Sequence, residues 1–354
     1  MRLARNPRTI VQLVFLILIL AMLESNALAD PKDLTPCSGS PITSRNADIS
    51  QVQWLPVTPS PGNPKLSMYR QGVGAPTIRI PDMPTHRADQ ITIVNWNVHE
   101  GNARIRDFIE RYLWKDRRVD FVMLVEEAFR TGPDVPPTYD KETKIPKRIG
   151  QPNSDEDIIR VADCEHLWLY YVPSMRNGKQ TGTASQDRGN AILSTMLLSN
   201  FRAIELPYEH QRRVTLGATV TLSNRDSIDV FAVHLDTSKE FSKGWILTGN
   251  GARETQMQAV IDSTRGLAGL DHVVITGDLN GGGGAVTVLD HIVKQTRCPG
   301  PTFQLLGVFP VTLDHVFVRL PSTWQTGSCE RPKDKWGSDH WPFTLPLIPP
   351  QLNN

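Results

Sequence analysis

Apolar and polar positions alternate in short runs from residue 91 onward, and the runs are the length of strands. Their limits predict strands at 91–96, 120–126, 167–172, 190–198, 213–222, 228–235, 272–277 and 313–318. Two stretches carry the helical period instead. In Ala103 to Trp114, the residues Ile105, Phe108, Ile109, Tyr112 and Leu113 share one face, with Asn102 as the expected cap. In Arg253 to Arg265, Met257, Val260 and Ile261 turn inward. Residues 30–90 are rich in Pro, Gly and Ser and lack a sustained period, which predicts an extended N-terminal arm without chemistry of its own. Residues 131–160, with Pro133, Pro136, Pro137 and many charges, read as a long inserted loop that flanks a site and shapes substrate choice. No internal repeat interrupts the span 91–350, which fits one domain.

The apolar runs end on polar residues of a restricted kind. Asn97 closes one run, Glu126 and Glu127 another, and His234 and Asp236 a third. HVVITGDLNGG at 272–282 ends on Asp278 and Asn280, which point the same way from an extended backbone because side chains alternate with a period of two. Asp314 opens the run 313–318, and Asp339 stands beside His340 near the C-terminus. Each residue alone has an ordinary structural role: Asn97 as a turn cap, His234 as a core histidine, Asp314 as a strand anchor, Asp339 as a surface turn. Together, six strand ends predict one polar site at the rim of a sheet. Hard carboxylate and amide oxygens suit magnesium, manganese or calcium, and histidine moves protons near neutral pH. No Cys or His cluster has zinc spacing. Glu126 and Glu127 are neighbours in a strand, so only one is expected to face the site. Arg188, Arg212 and Arg213 match phosphate in shape and charge, with at least one of the three expected to be structural.

With these segments in view, the chain resembles the endonuclease/exonuclease/phosphatase superfamily of metal-dependent phosphoesterases. The matching stretches are WNVHEG at 96–101, LVEEAF at 124–129, GNAILS at 189–194, VHLD at 233–236, GDLN at 277–280, LDHVFV at 313–318 and SDH at 338–340. The resemblance implies an α/β fold, a four-layer α/β sandwich of two packed mixed β-sheets flanked by helices. It implies that Glu127 and Asn97 hold a divalent metal, Mg2+ or else Mn2+ or Ca2+, with Asp339 near it. His340 is then the general base or its electrostatic equivalent, fixed by Asp314; Asp278 and Asn280 position the attacking water, and His234 touches a phosphate oxygen or assists the leaving group. Arg188, Asn190, Arg213 and His99 are the implied phosphate contacts. Two positions depart from the family: Glu126 stands where Gln or Asn usually precedes the metal Glu, and His99 replaces an Asp found in some nuclease relatives. Glu127 is preferred as the ligand because Ala128 and Phe129 follow it, as in related sphingomyelinases. The chemistry has its own logic, since a phosphodiester is anionic and attack by water needs both charge neutralisation and a base.

The first 29 residues change the expected location. Arg2, Arg5 and Arg8 precede an apolar core from Ile10 to Leu23, and Ala27, Leu28 and Ala29 form a small-residue cleavage site, as in a secretory signal peptide. The apolar stretch is shorter than the roughly 20 residues a spanning helix needs. The protein is expected to be secreted or periplasmic, and four cysteines fit that compartment. Of three possible pairings, proximity in sequence favours Cys298 with Cys329, leaving Cys37 to Cys164. Removing the first 29 residues takes away three Arg and one Glu and leaves 35 basic against 36 acidic residues, so no global basic field draws in nucleic acid. A phosphodiester in nucleic acid is nevertheless the first expected substrate, held by Arg188, Arg212 and Arg213. A sphingomyelinase-like action at a lipid surface is the second, cued by Phe241, Trp245, Ile246 and Leu247 in FSKGWILTG at 241–249. A secreted binding protein that has lost catalysis is the third, cued by Glu126 and His99. A monomer is expected.

Overall fold

The computed structural model describes residues 45–57, 63–82, 90–116, 118–136, 156–176, 186–222, 226–237, 251–265, 272–281, 283–293, 295–296, 298, 300–305 and 308–350. Two sheets dominate it. One has eight strands in the order β1 (Arg45–Asn46), β3 (Thr77–Ile80), β6 (Trp168–Arg176), β7 (Gln186–Ser194), β5 (Phe121–Thr131), β4 (Ile91–Asn97), β17 (Phe343–Ile348) and β16 (Gln325–Thr326). The other has seven: β12 (Gln295–Thr296), β15 (Asp314–Arg319), β11 (Val273–Asp278), β10 (Ser227–His234), β9 (Val214–Thr221), β8 (Leu197–Glu205) and β2 (Gln53–Trp54). A separate hairpin joins β13 (Phe303–Leu305) to β14 (Phe309–Val311). Both sheets are mixed, with parallel pairs β4/β5 and β10/β11 near their centres.

The apolar runs are nearly continuous because these strands are buried on both faces. Ile93, Val122, Leu124 and Ile192 of the first sheet meet Leu216, Val230, Val274 and Val316 of the second between the sheets. On the outer face of the first sheet, Trp96, Met123 and Val125 pack on α2 (Ile105–Phe108) and α3 (Ile158–Cys164). On that of the second, Phe231, Val233 and Ile275 pack on α4 (Gly251–Arg265) and α5 (Gly284–Asp290). This is the expected four-layer sandwich.

Several local expectations change. The run 190–198 is the end of β7 and the start of β8, separated by a turn in which Ser194 Oγ accepts from Met196 N at 2.9 Å. β17 was hidden from the pattern by Pro342 and Pro346. The stretch 103–114 is one turn of α-helix followed by a π-turn over Ile109–Leu113. Asn102 does not cap it: its Nδ2 donates to His99 O at 2.6 Å, while Ile105 N finds Glu156 Oε2, also at 2.6 Å. The described part of the 30–90 segment supplies β1, β2, β3 and a helix, α1 (Pro64–Gln71). Cys298 and Cys329 form a disulfide with Cα atoms 5.0 Å apart. Cys164 is disulfide-bonded as well, and Cys37 lies outside the described residues. So do residues 1–29, 137–155 and FSKGWILTG at 241–249. Among the described residues no helix is long and apolar enough to cross a membrane.

Candidate active site

The alternation that builds the core also builds the site. On β4, Ile91, Ile93, Asn95 and Asn97 share the face between the sheets; on β5, Val122, Leu124 and Glu126 do. Opposite them, Val274, Thr276 and Asp278 of β11 face inward with Asp314 and Val316 of β15. Each column changes from apolar to polar at the same end of the sandwich, so the polar side chains converge there.

Asp278 is the hub. Its Oδ1 accepts from Asn280 N at 2.7 Å and its Oδ2 from Asn97 Nδ2 at 3.0 Å. The Nε2 atoms of His234 and His340 approach Oδ2 at 3.7 and 3.8 Å. Burial, then the charge of Asp314, pushes Asp278 up to about 7, against the pull of His340 and the two hydrogen bonds. Asn280 is itself fixed, its Nδ2 donating to Leu235 O at 2.8 Å and its carbonyl accepting from Arg253.

His340 Nδ1 and Asp314 Oδ2 are 2.7 Å apart. Burial pushes the imidazole down, but Asp314, Asp278 and Asp339 outweigh it and hold the pKa up to about 10. His340 is therefore an imidazolium whose Nδ1–H donates to Asp314 and whose Nε2–H faces Asp278. Phe303 lies over its ring at 4.7 Å, and Trp96 Nε1 donates to its carbonyl at 3.1 Å. Thr302 Oγ1 accepts from both Leu313 N and Asp314 N at 3.0 Å, setting the start of β15. Neither Thr302 nor Phe303 carried a signal in the sequence.

His234 has the opposite state. Arg213 Nη1 lies 3.0 Å from its Nδ1, and since a guanidinium only donates, Nδ1 is the acceptor and the proton sits on Nε2. Burial, reinforced by Arg213, lowers its pKa well below the ordinary range, so the ring is neutral.

The acidic pair on β5 corrects an expectation. A β-bulge between Val125 and Ala128 interrupts pairing with β7, and Glu127 takes a left-handed backbone at φ +57°. The strand's alternation is broken, so both glutamates enter the gap between the sheets. Glu127 lies 3.9 Å from Arg188 and 3.8 Å from Arg213. Glu126 is fully buried beside Asp314 and Asp278, and neither of its oxygens accepts a hydrogen bond from another described residue.

The remaining expected residues divide. Arg188 donates to Glu100 and lies behind Glu127, and Asn190 Nδ2 donates to Val214 O at 2.9 Å, so both brace the site. Arg212 is structural: its guanidinium binds Glu205 at 2.6 Å and the carbonyls of Pro173 and Ser174. His99 and Asp339 form a pair at 3.6 Å on the rim, 40% and 42% exposed, outside the buried cluster. A cavity of about 630 Å³ is lined by Trp54, Arg70, Glu205 and Arg212 among others, and none of the cluster residues borders it.

Asp278, Asp314 and His340 have side-chain atoms that all lie within 4.8 Å of one another, and with His340 protonated the carboxylate oxygens are the ligand atoms among them. Asp314 Oδ1 is buried and has no hydrogen-bond partner among the described residues. Hard, dry, unpartnered oxygens fit a divalent cation such as magnesium or manganese.

No family model matches the chain, and no curated protein matches it significantly. Among solved structures, an endonuclease/exonuclease/phosphatase from Beutenbergia cavernae is similar at 16% identity, over 74% of this chain and 72% of that one, with a TM-score of 0.52. Sphingomyelinase C from Streptomyces griseocarneus is similar at 14% identity, over 73% and 99% of the two chains, with a TM-score of 0.49. A family protein from Leptotrichia buccalis gives 12% identity over 73% and 99%, also at 0.49. The strand order, the four layers and the first of these likenesses agree: the chain has the endonuclease/exonuclease/phosphatase fold.

Proposed function

We propose that the protein is a divalent-metal-dependent phosphodiesterase that splits a phosphodiester with water. The single observation that carries this reading is the convergence of two differently protonated histidines on Asp278. A neutral His234 and a charged His340 both aim Nε2–H at one carboxylate oxygen, from 3.7 and 3.8 Å. Asp278 accepts the proton of the attacking water at Oδ2, while Asn97 and Asn280 hold its carboxylate in place. The Nε2–H groups of His340 and His234 donate to the phosphoryl oxygens as charge builds on them. Asp314, through Oδ1, and a glutamate of the pair Glu126 and Glu127 are the residues that would hold the cation. When bound, it neutralises the phosphate and stabilises charge developing on it.

These features serve any phosphodiester. The nucleic-acid expectation loses part of its footing, because Arg188 and Arg212 are committed to Glu100 and Glu205. Nucleic acid is retained as the first substrate to try and a phospholipid as the second. Export is supported by the Cys298–Cys329 disulfide, a bond that persists outside the cytosol. The test is turnover of plasmid DNA, sphingomyelin vesicles and bis-p-nitrophenyl phosphate by the purified protein, with magnesium and with chelator. Hydrolysis that needs the cation and is lost in His340→Ala supports the reading. Turnover that survives His340→Ala at the native rate refutes the role of His340, and no turnover of any of the three refutes the phosphodiesterase assignment.

A further inference from the structure

Glu126 poses a physical problem that the proposed chemistry does not use. Its side chain is fully buried in the gap between the sheets, and neither oxygen accepts a hydrogen bond from any other described residue. A carboxylate without partners in a dry site is costly, and proteins resolve that cost with a counter-charge, a proton or a metal. Among the described residues no guanidinium is paired with it: Arg188 and Arg213 approach Glu127 instead, at 3.9 and 3.8 Å. The groups whose charges act on it most strongly are two more carboxylates, Asp314 and Asp278.

Its direction is fixed by the fold. Glu126 continues the column Val122, Leu124 on β5 and is in register with Asn97 of β4. That column faces Thr276 and Asp278 on β11 and Asp314 and Val316 on β15, across the core. Other unsatisfied atoms belong to the same region. Among the described residues Asp314 Oδ1 has no hydrogen-bond partner, its Oδ2 being used by His340, and neither amide atom of Asn95, two residues before Asn97 on the same face and at zero exposure, has one. Glu126 thus stands beside Asp314 and Asp278 on the buried side of the group formed by Asp278, Asp314 and His340, and it and Asp314 Oδ1 bring oxygens that accept no hydrogen bond from another described residue.

We infer that Glu126 is a ligand of the site's divalent cation, binding it from the buried side together with Asp314 Oδ1, while Glu127 is held by Arg188 and Arg213. The inference rests on the metal-dependent reading above and adds to it a ligand at a position where relatives usually carry an amide. The same β-bulge makes room for both roles, since it turns Glu127 toward the arginines without withdrawing Glu126 from the core.

The experiment is calorimetric titration of the cation-free protein with Mn2+ and with Mg2+, for the native chain, Glu126→Gln, Glu126→Asp and Glu127→Gln, with thermal unfolding of each. Glu126→Gln keeps the volume and removes the charge. It should bind Mn2+ at least about tenfold more weakly, as changes around a metal site do, and should unfold at a higher temperature than the native protein when both lack the cation. Glu126→Asp, which keeps the charge but draws the oxygens back by one methylene, should also bind more weakly. Native Mn2+ affinity in a folded Glu126→Gln, or a larger loss in Glu127→Gln than in Glu126→Gln, overturns the inference. Failure of the function and failure of the ligand are separable. Tight Mn2+ binding lost in Glu126→Gln but without hydrolysis of any phosphodiester leaves Glu126 as a ligand and removes the proposed reaction. Cation-dependent hydrolysis with native affinity in Glu126→Gln does the reverse.

Discussion

Replacing Asp314 by Asn separates charge from shape at the His340 pair. Asp314 Oδ2 lies 2.7 Å from His340 Nδ1 in a buried setting, and an Asn can present its own Oδ1 to the same N–H. What is lost is a full negative charge at hydrogen-bond distance. An opposite charge that close moves a pKa by about 1–3 pH units. Burial pushes His340 down, and Asp314 leads the groups that hold it up to about 10, so in the variant it should titrate lower by that amount. At about 1.4 kcal/mol per unit this corresponds to roughly 1.4–4 kcal/mol of stability. The sign follows from linkage: a histidine whose folded pKa is raised contributes stability in full below its ordinary value of 6.5, and that stability is lost as pH rises through about 10. The variant's deficit should therefore be large near pH 6 and shrink toward pH 10. Ring-proton NMR titration of the cation-free protein and urea denaturation at those two pH values measure both quantities. If the protein is a phosphodiesterase, the change from a charge-assisted to a neutral acceptor, about 1–1.5 kcal/mol, should lower kcat about 5- to 13-fold at saturating magnesium. A His340 that titrates in Asp314→Asn within a few tenths of its native value, or an equal stability deficit at both pH values, refutes the reasoning.

Three further outcomes are expected. Glu156 is pushed up to about 8 by burial, despite the hydrogen bonds from Ile105 N and Arg106 N, so its folded pKa lies above its ordinary 4.5 and the stability it gives is lost as pH rises through about 8. Glu156→Gln should then gain on the native protein between those values, by on the order of 5 kcal/mol once above them; a melting difference that does not change with pH contradicts this. Gly277 has φ +151°, and a Cβ there would stand 1.7 Å from the carbonyl oxygen of Val233, so Gly277→Ala should cost more than about 3 kcal/mol, and an unchanged urea midpoint would show that the strands do not approach so closely. Cys298 and Cys329 are 31 residues apart, which in the loop-entropy account is worth about 3–4 kcal/mol; the double Ser variant should lose that much in denaturant unfolding, and a loss below about 1 kcal/mol would contradict it.

The sequence exposed the fold where burial is two-sided, because β4, β5, β10 and β11 read as continuous apolar runs. It hid β17, whose prolines look like a loop, and the short edge strands β1 and β2, where a Pro- and Gly-rich composition conceals pairing decided by tertiary contact. Asp278, Asn280, Asp314, His234 and His340 were legible because each follows or opens a run and alternation fixes its direction. The pair Glu126 and Glu127 was misread for the same reason: a strand's period was applied across a bulge that only the pairing with β7 reveals. Thr302 and Phe303 were invisible, since their partners Asp314 and His340 are distant in sequence and one is met through a backbone N–H. The arginines were legible as cations and illegible as partners, because Glu100 and Glu205 become their neighbours only on folding.

The N-terminal segment has a consequence for the order of events in folding. β1 pairs with β3 at Arg45 and Ile80, and β3 in turn with β6 at Thr77 and Tyr171, while β2 lies parallel to β8 at Trp54 and Ala203. The first described strands are thus the outermost of both sheets; β1 with β3 waits for β6, 94 residues on from Thr77 to Tyr171, and β2 waits for β8, 149 residues on from Gln53 to Arg202. Such long loops close slowly and do so only after the local pairs have formed. The stretch made first is then the stretch that locks last. Until it docks, the β6 and β8 edges stay open to other chains. Pulsed hydrogen exchange during refolding reads this directly: amides of β9 and β10 should become protected before those of 45–57, and the reverse order would overturn it.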